Sequence, residues 1–273
     1  MTPTVLTNQR SERVKAVAAL GRRAVRQRTD RVRIEGPHAV RELLACASAS
    51  AIDIYLAADD ADSYADIAAA ASEAAVPVYV CGEFAFAAMS DAQHPQGVLA
   101  VARPLDVPLT KALAEVGDGF VAVLSNVRDP GNAGTVIRAA DAFGAAAVIV
   151  SDSSVDVYNP KVIRSTVGSL FHLPLSLGAP IEQIVSACQG AGLKVLAADG
   201  ASSLLLPDAP VQAPHAWVFG NESWGLSPKV REMCDEVVAV PIPGKAESLN
   251  LAMAATVCLH TSAASRHAHP ASS

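Results

Sequence analysis

Residues 120–143 read FVAVLSNVRDPGNAGTVIRAADAF, and this stretch sets the fold of the second half of the chain. The five apolar residues Phe120–Leu124 predict a buried strand, and a polar loop containing Pro130 and Gly131 follows directly. The segment Thr135–Phe143 then has the apolar spacing of a helix. A strand, a tight loop and a helix form the repeating unit of an α/β protein with a mostly parallel sheet.

Strand-like and helix-like segments alternate on both sides of this stretch. Arg103–Pro108 carries two prolines and is the expected linker, so we expect a smaller α/β domain over residues 1–106 and a second α/β domain over residues 107–273. The other predicted strands are Arg31–Glu35, Ile52–Ala57, Val76–Val80, Gly97–Ala102, Ala146–Val150, Lys194–Ala197, Trp217–Phe219 and Val237–Val240. The other predicted helices are Asn8–Gln27, Pro37–Cys46, Tyr64–Ala75, Glu83–Met89, Pro160–Gly168, Ile181–Ala191, Ser227–Met233 and Leu249–Ala264.

The composition is that of a globular protein. The chain has 273 residues, of which 51% are hydrophobic, so it can bury a core and general disorder is excluded. Apolar runs stay well short of the roughly 18 residues of a membrane span, and the first residues, MTPT, lack the apolar core of a signal peptide. The five cysteines are scattered without a C-x-x-C pair, which predicts neither a disulfide framework nor zinc. We therefore expect a cytoplasmic protein with no membrane and no metal partner.

Positive charge is concentrated near the N-terminus, although the formal net charge is −6. Residues 10–42 hold ten of the 21 Lys and Arg side chains and only four acidic side chains. Nine of those ten are arginine, whose forked guanidinium group suits contacts to phosphate and stacking on bases. A solvated helix face would also explain such a charge run taken alone. The candidate phosphate contacts are Arg22, Arg23, Arg26, Arg28 and Arg33.

Two further polar loops follow apolar strands. In the loop after Trp217–Phe219, Glu222 lies between Gly220 and Gly225, at the strand end where open α/β sheets bind ligands. In the loop after Val237–Val240, Ser248 and Asn250 precede the last helix, whose free N–H groups suit an anionic or carbonyl ligand. A capping role explains Ser248 equally well. The phosphate-loop patterns G-x-G-x-x-G and G-x-x-x-x-G-K-[ST] are absent.

Taken together and in this order, the three loops resemble the three motifs of the SpoU (TrmH-like) branch of the SPOUT RNA methyltransferases. The pattern N-x-R-D-P-x-N-x-G-x-x-x-R-x-A matches residues 126–140, the pattern hydrophobic-G-x-E-x-x-G matches 219–225, and I-P followed by S-L-N matches 242–250. The N-terminal part also resembles the L30e-like substrate-binding domain of this family, on Glu35-Gly36 before a helix and on residues 96–100.

The resemblance implies an enzyme that transfers the methyl group of S-adenosylmethionine to a ribose 2′-hydroxyl of RNA. It also implies that the C-terminal SPOUT α/β domain is a trefoil knot, that the enzyme is a homodimer, and that the arginines near the N-terminus contact RNA. The residues carried over as cofactor contacts are Gly220, Ile242, Leu249 and Asn126. The residues carried over as catalytic are Arg138, Asn132, Glu222, Ser248 and Asn250.

Arg138 is the family's proposed base, but an arginine is normally locked in its charged form. Stabilising an alkoxide or holding a phosphate is therefore the physically easier role for this residue. Glu222 could position the nucleophile or Arg138, and Ser248 and Asn250 could orient the loop and the ribose.

Alternative functions differ in substrate or in chemistry. Large-subunit (23S) ribosomal RNA is favoured over transfer RNA because the additional L30e-like domain with its arginine-rich helix suits structured RNA. A non-catalytic RNA-binding or assembly protein on the same fold would be free to lose Arg138, Glu222 or Asn250, and all three are present. A nucleotide-dependent enzyme unrelated to RNA would be expected to carry a phosphate-loop signature.

Overall fold

A computed structural model describes residues 5–268, with residues 267 and 268 described by their backbone alone. The residues on which the signal-peptide expectation rests, 1–4, lie outside the described part of the chain, as do 269–273. The chain divides into two compact units. The first runs up to Leu105 and also includes Asp156–His172, and the second comprises Asp106–Val155 and the chain from Leu173 onward.

The described residues form eleven strands and eleven α-helices, joined by short 3-10 turns. The strands are β1 (Val5–Leu6), β2 (Val32–Glu35), β3 (Ala51–Ala57), β4 (Val78–Cys81), β5 (Val98–Ala102), β6 (Phe120–Leu124), β7 (Ala147–Ser151), β8 (Leu175–Ala179), β9 (Lys194–Ala198), β10 (His215–Phe219) and β11 (Glu236–Val238). The helices are α1 (Glu12–Ala19), α2 (Arg23–Thr29), α3 (Pro37–Ala47), α4 (Ala65–Glu73), α5 (Glu83–Met89), α6 (Leu109–Ala114), α7 (Pro130–Ala142), α8 (Pro160–Thr166), α9 (Ile181–Gly190), α10 (Pro228–Met233) and α11 (Leu251–Ala268).

The first unit is built on a five-stranded mixed sheet in the order β1-β4-β3-β5-β2. Strand β5 pairs antiparallel with both β2 and β3, whereas the pairs β3–β4 and β1–β4 are parallel. Helices α1 and α5 pack against each other over a core that includes Val14, Val17, Phe86 and Met89. Helix α8 belongs to this unit and packs against β2.

The predicted helix Asn8–Gln27 is wrong as a single element, because the chain breaks between α1 and α2. The Arg26 guanidinium donates hydrogen bonds to the carbonyls of Leu20 at 2.7 Å and Gly21 at 2.9 Å. Those carbonyls would accept the next helical N–H groups if α1 continued. An apolar stripe does not reveal this side-chain competition.

The second unit is built on a six-stranded parallel sheet in the order β11-β9-β10-β6-β7-β8. Residues of β6, β7, β9 and β10 are almost all buried, so these strands form the centre of the unit. The expected α/β class with a mostly parallel sheet is confirmed. Strand β8 was not predicted, because Ser176 and Gly178 interrupt its apolar pattern. None of the helices in the described chain is both long and apolar enough to cross a membrane.

Candidate functional site

The register of the second sheet brings two of the motif loops to one edge. The last residue of β10, Phe219, pairs with Leu124 of β6 on one side and with Ala198 of β9 on the other. Because all three strands are parallel, the chain leaves them at the same edge. The loops that begin at Ser125, Asp199 and Gly220 therefore start side by side.

The first motif loop turns directly into helix α7. Asn126 has a positive φ of 58°, a left-handed conformation that asparagine tolerates better than most residues. The Asp129 carboxylate then accepts a hydrogen bond from the Asn132 backbone N–H at 2.7 Å, and Pro130 occupies the first helical turn. Helix α7 thus starts at Pro130, earlier than predicted, because aspartate caps it and proline is compatible with a first turn.

Glu222, in the second motif loop, is hydrogen-bonded to the first motif loop. Its carboxylate accepts hydrogen bonds from the backbone N–H groups of Arg128 at 3.2 Å and Asp129 at 3.0 Å. It also accepts a hydrogen bond from the Asn132 side-chain amide at 3.3 Å. The negative charge therefore lies at the N-terminus of α7, where the helix dipole favours it. These hydrogen bonds tie Glu222 to the first loop, and none of the hydrogen bonds or ion pairs among the described residues joins Glu222 to Arg138.

Asn132 extends the connection to the third loop. Its side-chain carbonyl accepts a hydrogen bond from the Asn250 side-chain amide at 3.0 Å. The Asn250 carbonyl in turn accepts hydrogen bonds from the backbone N–H groups of Ala252 at 2.9 Å and Met253 at 3.4 Å, and so caps α11. Asn250, and not Ser248, therefore caps this helix, and the capping interpretation of Ser248 is wrong. We call Glu222, Asn132 and Asn250 the polar relay, since each is hydrogen-bonded to the next and together they join all three motif loops.

Asn221 is a second link that the sequence analysis missed. It is buried, and its side-chain amide donates a hydrogen bond to the Asn126 carbonyl at 2.8 Å. Its side-chain carbonyl accepts the Ser223 N–H at 2.8 Å. Asn221 occupies a variable position of the family pattern, so the pattern gave no signal. A polar residue two positions after a buried strand was the available signal.

Gly220 is a glycine because its own loop folds back on it. A Cβ at this position would lie 2.4 Å from the carbonyl carbon of Gly225, closer than packed atoms allow. Asn221 and Gly225 close the loop by exchanging two backbone hydrogen bonds of 2.9 Å. Loop closure therefore requires a glycine at this position, in addition to the cofactor contact that the family resemblance implies for Gly220.

A cavity of about 640 Å³ lies beside the relay, within the second unit. Its wall includes Gly220, Glu222, Ile242, Ser248 and Leu249, together with residues that follow β9. No backbone hydrogen bond ties residues 241–249 to the rest of the described chain, so their N–H and C=O groups remain available to a ligand.

These features fit S-adenosylmethionine. The volume is in the range of small-molecule sites, Ile242 and Leu249 offer apolar contacts to an adenine ring, and the free backbone groups can bond to its polar edge. Asn126, which the sequence analysis assigned to cofactor binding, is not among the residues that line this cavity. Asp199, at the end of β9, does line it, and its carboxylate lies 3.1 Å from Arg231.

Arg138 lies outside both the relay and the cavity wall. It is exposed on α7 and makes no hydrogen bond or ion pair with another described residue. Helices α7 and α11 run side by side in the same direction, because Asn132 contacts Asn250 near their starts and Phe143 contacts His260 further along. Along the sequence of α7, Arg138 lies between these two contacts.

The five arginines expected to contact RNA fall into two groups. Arg26 and Arg33 are buried, and each forms an ion pair within the first unit, Arg26 with Asp156 and Arg33 with Asp91. A buried, paired guanidinium group is not presented to a ligand, so the exposed arginines are the better candidates for RNA contacts. The exposed members are Arg22, Arg23 and Arg28.

Two family models match the chain. One, described as the SpoU rRNA Methylase family, matches residues 119–260. The other, described as RNA 2'-O ribose methyltransferase substrate binding, matches residues 33–108. The first match spans all three motif loops, the polar relay and the cavity.

Curated relatives carry related names. The chain is 31% identical over 255 residues to a 23S rRNA (guanosine(2553)-2'-O)-methyltransferase of Bacillus subtilis, RlmP, covering 93% of this chain and 97% of that protein. It is 40% identical over 151 residues to a 23S rRNA (uridine(2479)-2'-O)-methyltransferase of Streptomyces viridochromogenes, covering 53% of each chain.

Solved structures share the fold over nearly the whole chain. The AdoMet-bound rRNA methyltransferase from Sinorhizobium meliloti superposes with a TM-score of 0.84 at 26% identity, covering 97% of this chain and 98% of that one. The SpoU methyltransferase AviRb from Streptomyces viridochromogenes, in complex with AdoMet, gives a TM-score of 0.80 at 28% identity, covering 94% and 99%. The expected enzyme class and the expected cofactor, S-adenosylmethionine, are confirmed by these matches. Because the SpoU rRNA Methylase model spans all three motif loops and a 31% identical relative is matched over nearly its whole length, the chain belongs to the SpoU rRNA methylase family.

Proposed function

We propose that this protein transfers the methyl group of S-adenosylmethionine to a ribose 2′-hydroxyl of 23S ribosomal RNA, in the cytoplasm. The observation that carries the proposal is the polar relay, which fixes the first loop and the start of α11 at the mouth of a cofactor-sized cavity. The full-length similarity to a 23S rRNA 2′-O-methyltransferase supports the choice of substrate.

Cofactor binding is proposed for the cavity wall. Gly220, Ile242 and Leu249 would surround the adenine, and the backbone of residues 241–249 would bond to its edge. When bound, the cofactor supplies an electrophilic methyl group. Asn126 would contribute indirectly, because its carbonyl accepts the Asn221 amide and so holds the second loop in place.

The catalytic role of Arg138 is electrostatic in this proposal. A ribose hydroxyl is a weak nucleophile, and its oxygen must gain negative charge as it attacks. The exposed Arg138 guanidinium, which has no partner among the described residues, can stabilise that charge or hold the neighbouring phosphate. Asn132 and Glu222 act as positioning residues, because the hydrogen bonds of the relay hold the start of the helix that carries Arg138. Ser248 lines the cavity, where its hydroxyl could orient the loop.

A homodimer is proposed because the helix pair carrying Arg138 presents an apolar stripe. Met253 and Val257 are four residues apart on α11, and these two residues are 62% and 40% exposed. This stripe lies on α11, which packs against α7. A second copy covering the stripe would bring its own loops towards Arg138 and complete the site. Met253→Asp should convert the dimer to a monomer in sedimentation. If Thr135→Asp, at an exposed position of α7, also dissociates the dimer, the interface extends to α7.

RNA binding is proposed for residues 1–106, and catalysis for residues 107–273. Arg22, Arg23 and Arg28 are exposed in the first unit, and Arg22 and Arg28 have no ion-pair partner among the described residues. Exposed arginines without an ion-pair partner suit the phosphates of a structured RNA. The match of residues 33–108 to a substrate-binding model supports this division.

The test of the proposed function uses methyl-labelled S-adenosylmethionine. The purified protein is incubated with unmodified total RNA and, in parallel, with large ribosomal subunits that lack 2′-O-methylation, and nucleosides are analysed after size separation. We expect label in 2′-O-methylated nucleosides of the 23S fraction. Label confined to transfer RNA would overturn the substrate. Bound cofactor without label in either preparation would favour a non-catalytic RNA-binding protein.

A further inference from the structure

Three side chains of the first unit converge on one point that the methyl-transfer site does not include. Glu42, Cys46 and His172 each offer one ligand atom, and these atoms all lie within 4.8 Å of one another. His172 Nε2 lies 3.0 Å from Glu42 Oε2, and Cys46 Sγ lies 3.9 Å from the same oxygen. The imidazole and the thiol are therefore directed at the same carboxylate oxygen.

Helix geometry and a glycine build this cluster. Glu42 and Cys46 are four residues apart on α3, so they lie on one face of the helix. His172 follows the short 3-10 turn Ser169–Phe171 and reaches Glu42 from 130 positions away in sequence. Gly168, with a φ of +91°, makes room for the carboxylate, because a Cβ there would lie 2.6 Å from Glu42 Cγ.

The donor set has the chemistry of a zinc site. Zn²⁺ binds thiolate, imidazole and carboxylate ligands, and at tetrahedral angles its bond lengths place ligand atoms roughly 3.5 Å apart. The observed separations of 3.0 and 3.9 Å lie close to this spacing, so small side-chain rotations would suffice. The cluster is partly exposed, with 32% of the His172 side chain and 26% of the Glu42 side chain accessible, so an ion could enter.

We propose that Glu42, Cys46 and His172 form a Zn²⁺ site that fastens the Asp156–His172 segment to helix α3. Zinc replaces the thiol proton of Cys46 and bridges the same groups that now meet at Glu42. Water takes the fourth position. His38, whose Nδ1 lies 3.8 Å from Glu42 Oε1, is a neighbour of the site and not one of its three ligands. This proposal revises the sequence expectation that the protein has no metal partner.

The other cysteines are poor competitors for a metal. Cys81, Cys188 and Cys258 are buried, and burial raises the pKa of the Cys188 thiol to about 12 and that of Cys258 to about 12. Burial also raises the pKa of the partly buried Cys234 thiol to about 12. A thiol with a raised pKa binds metal poorly, because zinc requires the thiolate. Cys46 is exposed, which makes it the cysteine to test.

The experiment uses Co²⁺ as a spectroscopic probe of the full chain, free of any affinity tag and stripped of metal with a chelator. Co²⁺ bound to a thiolate in a tetrahedral site gives a sulfur-to-metal charge-transfer band and intense visible bands. We expect both bands in the wild type and their loss on adding Zn²⁺. Cys46→Ser should abolish the charge-transfer band, whereas Cys234→Ser, the matched control, should retain it. A wild type without the band, or a Cys46→Ser variant that keeps it, would overturn the proposal.

Affinity and stability distinguish a metal site from a simple Glu42–His172 ion pair. We expect His172→Ala to weaken Zn²⁺ binding at least about tenfold, and His38→Ala to change it less. Zn²⁺ should raise the Tm of the wild type, because the ion binds the folded chain and not the unfolded one. A Tm that Zn²⁺ raises equally in the wild type and in Cys46→Ser would contradict the site. Because no readout involves methyl transfer, failure here leaves the proposed function untouched.

Discussion

The two ends of strand β10 are both joined to helix α11 by polar side chains, but the two joints differ in burial. At the amino end, the Ser262 hydroxyl of α11 lies 2.7 Å from His215 Nε2 and accepts a hydrogen bond from Trp217 Nε1 at 2.9 Å. All three residues are buried. Beyond the carboxyl end, Glu222 connects through Asn132 to Asn250 at the start of α11, and Glu222 and Asn250 are exposed.

The difference separates a structural joint from a functional one. In the buried joint these polar side chains are hydrogen-bonded to one another. Losing one of them therefore leaves another buried polar group without a hydrogen bond. In the exposed relay, water can replace a lost partner, so stability depends little on it. What the relay fixes is the position of the loops beside the cavity. Variants at the carboxyl end should therefore change activity, and variants at the amino end should change stability.

The largest expected effect is that of Arg138→Ala. Methyl transfer should fall by a factor of roughly 100 or more, because a charge that stabilises the transition state is lost. Cofactor affinity should change little, since Arg138 does not line the cavity. Single-turnover transfer and equilibrium binding of S-adenosylmethionine measure the two quantities. Lys111→Ala, an exposed cation on α6, is the control. Near-normal transfer by Arg138→Ala would remove this residue from the catalytic set.

The next effect is that of Glu222→Gln, which tests the relay. Glutamine has one acceptor oxygen and one amide donor, so it cannot accept the three hydrogen bonds that reach the carboxylate. We expect transfer to fall about tenfold to a hundredfold, because the first loop moves out of position. The free energy of unfolding should change by less than about 0.5 kcal/mol, as is usual for exposed sites. A Glu222→Gln variant that unfolds readily would mean that the relay is structural.

The sequence predicted the elements of the carboxyl end well, because strand ends and loop motifs are local patterns. Phe120–Leu124 has the predicted bounds. The predicted helix Ser227–Met233 forms as α10, and Ser227 caps it by accepting the Val230 N–H at 3.3 Å. The family motif placed Glu222, Asn132 and Asn250 in one site. It did not show that they bond to each other, because their distances in sequence carry no information about side-chain direction.

Long-range pairing explains what the sequence did not reveal. The sequence predicted that Arg26 and Arg33 contact RNA from the surface. In the fold they are buried and form ion pairs with Asp156 and Asp91. Asp156 lies 130 positions from Arg26 in sequence, and His172 lies the same distance from Glu42. No local pattern encodes such encounters, so a charge run could not be divided into buried and exposed members.

At the amino end of β10, Ser262→Ala should destabilise the protein without affecting transfer. The alanine leaves the Trp217 indole N–H and one His215 ring nitrogen without their partner in the core. Such a loss costs about 1–3 kcal/mol. Thr261→Ala, at the preceding and less buried position, should cost less than about 0.5 kcal/mol. Denaturant unfolding measures both, and transfer per folded molecule should equal that of the wild type.

The smallest expected effect is the pH dependence that His215 contributes. Burial lowers the pKa of His215 below its ordinary value of 6.5, and the nearby positive charge of Arg266 acts in the same direction. Its Nδ1 lies 2.8 Å from the Ala213 carbonyl, which can only accept, so Nδ1 carries the hydrogen and Nε2 can accept the Ser262 hydroxyl proton.

Below pH 6.5 the unfolded chain therefore protonates this side chain while the folded chain resists, so the unfolded state binds more protons. The stability that neutral His215 contributes is complete above pH 6.5 and is lost as the pH falls towards its folded pKa. In His215→Gln the unfolding free energy should fall less steeply over this acidic window than in the wild type. His94→Gln, at an exposed histidine, should follow the wild-type curve. Equal slopes for the wild type and His215→Gln would show that the buried joint tolerates a charged imidazole, and burial would then no longer distinguish the two ends of β10.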